Sequence, residues 1–115
     1  MNVDDVRRLA LALPRTTEEP HHRMSSFRVD GKIFVTVPPD GDAVHIFVGE
    51  HEARAAVAES PERVELLWWG KALSGVRVTL ADEDALGALV AELVEVAWRR
   101  KAPRRLVAEH DVTPP

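Results

Sequence analysis

Apolar residues recur at helical spacing at the start of the chain. A first helix is predicted from the cap residue Asn2 to about Leu13. Pro14 ends this helix, because a proline disfavours the α conformation of the residue before it. The next stretch, residues 15–23, shows no periodicity, and we therefore predict a loop there. The apolar face of the helix consists of Val6, Leu9, Ala10 and Leu13.

The pattern then changes to runs of β-prone residues. An Asp-Gly pair at residues 30–31 separates two such runs. This pair favours a type I′ hairpin turn, in which both central residues need positive φ. The resulting register pairs Phe27 with Phe34 and Arg28 with Ile33. A third strand over residues 43–48 completes an antiparallel meander.

The middle of the chain predicts one helix and two more strands. An alanine-rich segment from Glu50 to Glu59 is typical of a helix, with acidic residues at its positive N-terminal end. Val64 to Trp69 is interpreted as a strand, although its length and leucine content also allow a helix. Gly75 to Leu80 alternates strictly between apolar and polar residues, as a half-buried strand does.

A long helix closes the pattern. Asp82 is its predicted cap, and the helix runs from about Glu83 to Lys101. Pro103 then starts a short terminal helix through Ala108, because proline is well tolerated in a first helical turn. We expect residues 111–115 to form a frayed tail.

The element order is therefore α-β-β-β-α-β-β-α-α. It predicts an α+β fold in which an antiparallel sheet has helices packed on one face. A chain of 115 residues fits one domain, residues 1–115. It contains no cysteine, which excludes disulfides, thiolate metal sites and cysteine nucleophiles. There is no signal peptide and no apolar stretch long enough to span a bilayer, so we expect a cytoplasmic protein without membrane contact.

Charge is distributed unevenly along the chain. The formal net charge is -4, yet five bases lie within seven positions near the C-terminus, with no acid among them. They either complete a helix dipole and pair with the acidic body, or form a phosphate-binding patch. Lys32 at the hairpin tip and Lys71 could add contacts to such a patch. The five bases are Arg99, Arg100, Lys101, Arg104 and Arg105.

Catalytic patterns are missing. No nucleophile elbow, glycine-rich phosphate loop or helical metal-binding pair occurs. We therefore expect a protein that is not an enzyme and that has no metal or cofactor. A metal-dependent enzyme that uses the histidines is a weaker third hypothesis. These histidines are His21, His22, His45, His51 and His110.

Two adjacent tryptophans, Trp68 and Trp69, are followed by Gly70 and Lys71. Neighbours on a strand face opposite sides, and tryptophan is usually buried, so we expect both indoles to be covered. The alternative is an exposed indole that stacks on a base, a flat ligand or a partner protein.

The chain resembles the MmcQ/YjbR family over about residues 4–110. The similar segments are the helix end at residues 11–14, the hairpin at residues 27–34 and the basic segment at residues 97–106. The resemblance implies a CyaY-like α+β fold, also described as a double wing, and a DNA-binding role. Our leading hypothesis is weak, non-specific DNA binding through the five C-terminal bases, Lys32 and Lys71. The alternative is a module for a small aromatic ligand or a protein partner that uses Trp68, Trp69 and Lys71.

Overall fold

Alternation along the strands gives one sheet an apolar face and a polar face. The computed structural model describes residues 1–81 and 86–112. Its six antiparallel strands lie in the order β1-β2-β3-β4-β6-β5. The strands are β1 (Thr16–His21), β2 (Met24–Val29), β3 (Lys32–Val37), β4 (Ala43–Ile46), β5 (Val64–Trp69) and β6 (Ala72–Thr79). The helices are α1 (Val3–Leu11), α2 (Glu50–Glu59), α3 (Gly87–Lys101) and α4 (Arg104–Val112).

The core lies between the apolar face of the sheet and the helices. Cross-strand neighbours on this face form a continuous row over five strands. Four of them belong to the same buried cluster as residues of α1, α2 and α3, and Leu66 packs against that cluster. The predicted α+β class with an antiparallel sheet is therefore confirmed. The row consists of Phe27, Val35, Ile46, Val76 and Leu66.

The first helix begins as predicted. The Asn2 side chain accepts a hydrogen bond from the Asp5 backbone N–H at 3.0 Å, and the Asp5 carboxylate accepts one from the Asn2 N–H at 2.9 Å. This reciprocal pair satisfies two backbone donors that would otherwise lack helical partners. The helix ends at Leu11, two residues before the predicted end.

The loop predicted over residues 15–23 was wrong, because β1 occupies most of it. This strand lies at a border of the sheet and has mostly polar side chains, so it shows no apolar alternation. Pro20 is tolerated there, since a border strand leaves one side of its backbone unpaired. Arg7 of α1 holds the strand through Glu18, with 2.8 Å between Nε and Oε1. The hydrogen bond from Arg7 lowers the pKa of Glu18.

The β2–β3 hairpin turn is confirmed, and half of its predicted register is correct. Asp30 and Gly31 have φ values of 52° and 76°, as a type I′ turn requires. Arg28 pairs with Ile33 as predicted, but a bulge follows and Phe27 pairs with Val35. The predicted pairing of Phe27 with Phe34 was therefore wrong, because the bulge adds one residue to β3.

The remaining elements follow the predicted order. The α2 helix has the predicted bounds, and β5 is a strand rather than the alternative helix. The predicted cap Asp82 lies outside the described residues, and so do residues 113–115. The α4 helix extends to Val112, beyond the predicted end at Ala108. Within the described residues, no helix is both long and apolar enough to cross a bilayer.

Candidate functional site

Both tryptophans of β5 are exposed. Trp68 has 50% and Trp69 84% of its surface accessible, so the expectation that both are covered was wrong. One reason is position, because β5 forms a border of the sheet. The β5–β6 register also shifts between Leu67 and Trp68, with Ser74 of β6 as the extra residue. Both indoles line the same groove.

This groove lies on the polar face of the sheet, between the β1–β2 turn and the end of β5. Its volume is about 490 Å³, within the range of about 300–1,000 Å³ that is typical of small-molecule sites. Apolar and polar side chains contribute to it. Its apolar residues are Met24, Ile33, Phe47, Leu67, Trp68 and Trp69, and its polar residues are His21, Thr36, His45, Ser74 and Lys101.

His45 is the central titratable group of the groove. The ring is half-buried, and its Nδ1 lies 3.4 Å from the Thr36 hydroxyl. Burial lowers the pKa of His45 below its ordinary value, and the positive charge of Arg77 lowers it further. The ring is therefore neutral at pH 7 and offers one donor and one acceptor nitrogen.

Two hydroxyl groups accompany His45. Thr36 is buried and lies directly opposite His45 in the β3–β4 register. The Ser74 hydroxyl donates a hydrogen bond to the Leu67 carbonyl at 3.1 Å, and its oxygen keeps the capacity to accept one. The groove thus combines apolar walls with a few fixed polar atoms, as ligand sites usually do.

Lys101 supplies the charge of the groove. It is the last residue of α3, is half-buried, and has no ion pair within residues 1–81 and 86–112. Lys71, which the sequence placed beside the tryptophans, does not line the groove; it lies in the β5–β6 turn. No local pattern indicates Lys101 at this site, because the groove combines residues that are far apart in the chain.

Arg99 and Arg100 of the basic cluster already have protein partners. Arg99 lies 3.2 Å from Glu95 and donates to Asp111 at 3.1 Å. The hydrogen bond to Asp111 raises the pKa of Arg99, and the same contact lowers the pKa of Asp111. Arg100 donates to the Phe47 carbonyl at 2.9 Å. Arg99 is therefore neutralised, as one of the two sequence interpretations required.

Arg104 and Arg105 lie elsewhere on the surface. Arg105 lines a separate cavity of about 220 Å³ together with Arg15, Asp30 and Glu109. Arg104 is exposed and has no ion pair with any residue that the structure describes. The five bases of the cluster thus have different surroundings. Lys32 and Lys71 lie exposed at two different hairpin turns.

The histidines are dispersed in the same way. The rings of His21 and His22 stack edge to face at 4.5 Å, and His110 packs against Trp98 at 5.0 Å. In the described part of the chain, no three metal-ligating side chains of His, Cys, Asp or Glu come together.

Comparisons with known proteins identify the family. No curated protein matches the chain. The crystal structure of Deinococcus radiodurans protein DR2400, a DUF419 domain protein, superposes with a TM-score of 0.73. That alignment has 18% identity and covers 96% of this chain and 88% of that one, so it shows a shared fold. The YjbR family model matches residues 11–100, and the chain therefore belongs to the YjbR family.

Proposed function

We propose that this YjbR protein is a non-enzymatic binding module and that a small aromatic ligand occupies its groove. The exposed pair Trp68 and Trp69 carries this proposal. Large indoles left in water are unfavourable unless a ligand or partner covers them, and flat rings stack well on them. The groove behind them has a volume suited to a small molecule, which favours this ligand over a protein partner.

Removal of one indole tests the proposal. Trp69→Ala is expected to weaken the binding of the planar probes naphthoate and naphthamide by about tenfold, because one stacking contact contributes about 1–3 kcal/mol. Isothermal titration calorimetry measures both affinities. Leu11→Ala is the matched control, because Leu11 is an apolar residue with 42% exposure outside the groove. If both variants bind the probes equally well, or if the wild type binds neither probe, the proposal fails.

Weak, non-specific DNA binding is a second candidate function. It is favoured by the side chains of Lys32, Lys71, Lys101 and Arg104, which have no ion pair among the described residues. Bases of this kind can replace counterions along a phosphate backbone. The lack of cysteine suits a reducing compartment such as the cytoplasm, which is where we propose that the protein acts.

The salt dependence of binding tests this second function. If Arg104 contacts a phosphate, Arg104→Ala is expected to flatten the slope of log affinity against log salt by about one unit. Arg99→Ala is expected to leave the slope unchanged, because Glu95 and Asp111 already neutralise Arg99. Fluorescence anisotropy of a labelled duplex over a range of salt concentrations measures both slopes. No binding at low salt, or equal slopes for the wild type and Arg104→Ala, argues against DNA as the ligand.

A further inference from the structure

We infer that the ligand of the groove is a planar aromatic anion, in which the ring stacks on the tryptophans and the negative charge faces Lys101. This inference rests on the proposed groove function and adds the charge of the ligand to it. Two chemical classes share these features, namely aromatic carboxylic acids and mononucleotides. The groove's charges and hydrogen-bonding groups favour such an anion.

None of the described residues that line the groove is acidic. The chain contains 19 Asp and Glu residues, yet none of them belongs to the lining that the structure describes. Lys101 does belong to it. Lys101 is therefore the one Lys, Arg, Asp or Glu in the described lining, and a neutral ligand would leave its charge without a partner in the groove.

The state of Lys101 strengthens this conclusion. Lys101 is a partly buried residue, and charged residues in such positions are usually paired. The neighbouring Arg99 is paired with carboxylates, and Arg100 donates to a backbone carbonyl. Lys101, by contrast, has no ion pair within the described residues. An anionic ligand would provide the missing partner.

A second cation, the guanidinium of Arg100, lies next to the groove wall. Arg100 donates its hydrogen bond to the carbonyl of Phe47, and Phe47 lines the groove. This contact holds a second positive charge next to a residue of the groove wall. The neutral His45 ring and the Ser74 hydroxyl can then bind polar atoms of the ligand without opposing its charge.

A pair of probes with the same shape and different charge tests the inference. Naphthoate carries a carboxylate, and naphthamide replaces it with a neutral amide. Calorimetry on the intact chain is expected to show about tenfold tighter binding of naphthoate, since charge-assisted hydrogen bonds are roughly twice as strong as neutral ones. Lys101→Gln is expected to abolish this preference by weakening the binding of naphthoate, whereas Lys101→Arg is expected to retain it. Lys71→Gln, which removes the same charge outside the groove, is the matched control and is also expected to retain it.

The outcomes separate this inference from the groove function itself. Equal binding of the two probes to the wild type would overturn the inference and leave an aromatic groove in place. An equal loss of preference in Lys101→Gln and Lys71→Gln would overturn it too, because the effect would then be one of net charge. Failure of both probes to bind removes the inference together with the groove function. Adenosine monophosphate distinguishes the two sources, since tighter binding than naphthoate identifies a nucleotide and weaker binding identifies a free aromatic acid.

Discussion

Gly75→Ala is expected to lower the free energy of unfolding by about 3 kcal/mol or more, a large fraction of the 5–15 kcal/mol typical of small domains. Gly75 has a φ of 154°, a value that residues with a Cβ atom rarely adopt. An added Cβ would lie 2.1 Å from the Ile46 carbonyl oxygen and 2.9 Å from the Cα of Phe47. Both are backbone atoms, so no rotamer change can relieve the clash, and β4 and β6 must separate beneath the groove.

Gly70→Ala is the matched control for this substitution. Gly70 also has positive φ, at 61°, but an added Cβ would meet no atom within 4 Å. Its expected cost is about 1–2 kcal/mol, which is the conformational penalty alone. Urea denaturation followed by circular dichroism measures both variants. If Gly75→Ala is no more destabilising than Gly70→Ala, the close approach of the β4 backbone to Gly75 is not a constraint in solution.

Trp98→Ala is expected to cost about 3–5 kcal/mol of stability, as truncation of a buried tryptophan usually does. Trp98 is fully buried in α3, and its indole N–H donates to the Pro14 carbonyl at 3.1 Å. This hydrogen bond connects α3 to the segment that follows α1. Trp98→Phe keeps most of the apolar contact but leaves the Pro14 carbonyl without this donor, so its expected cost is about 1–3 kcal/mol.

Trp69→Ala provides the comparison for Trp98→Ala, because it truncates the same residue type on the surface. With 84% of Trp69 exposed, its expected effect on stability is within about 0.5 kcal/mol. Chemical denaturation followed by circular dichroism avoids the change in fluorescence that these variants cause. Similar losses for Trp98→Ala and Trp69→Ala would contradict the assignment of Trp98 to the core.

Local sequence rules predicted those elements whose burial follows a regular pattern. The α1 cap at Asn2, the Asp-Gly turn and the bounds of α2 were all correct, because each depends on neighbouring residues. The register next to that turn was only partly correct, since a bulge lies between Phe27 and Arg28 and the two β3 residues opposite that step or beside it, Phe34 and Val35, are both buried in the core. Such packing depends on residues far away in the chain.

The two border strands were harder to interpret. A border strand has one unpaired side and fewer core contacts, so β1 lacks apolar alternation and resembled a loop. At the other border, the position of β5 leaves Trp68 and Trp69 in solvent although most tryptophans are buried. A residue's place in the strand order decides both cases, and this order is a property of the whole fold.

The basic cluster shows that local sequence patterns are also limited in predicting the candidate site. Arg99, Arg100 and Lys101 are consecutive, but successive residues of an α-helix are about 100° apart around its axis, since 3.6 residues complete a turn. Adjacent charges therefore point in different directions. Arg99 bonds to acidic side chains, Arg100 bonds to a backbone carbonyl, and Lys101 lines the groove. Adjacent bases in the sequence therefore do not share one environment in the fold.

The two borders of the sheet also determine how the molecule can associate through its strands. At β1, an approaching strand from another molecule meets Pro20, which lacks an N–H, and the carboxylates of Glu18 and Glu19. At β5 it meets a run with no proline and a single charge, at Glu65. Unprotected borders of this kind are where sheets extend and chains aggregate. We therefore expect any intermolecular strand addition in concentrated solutions to start at β5.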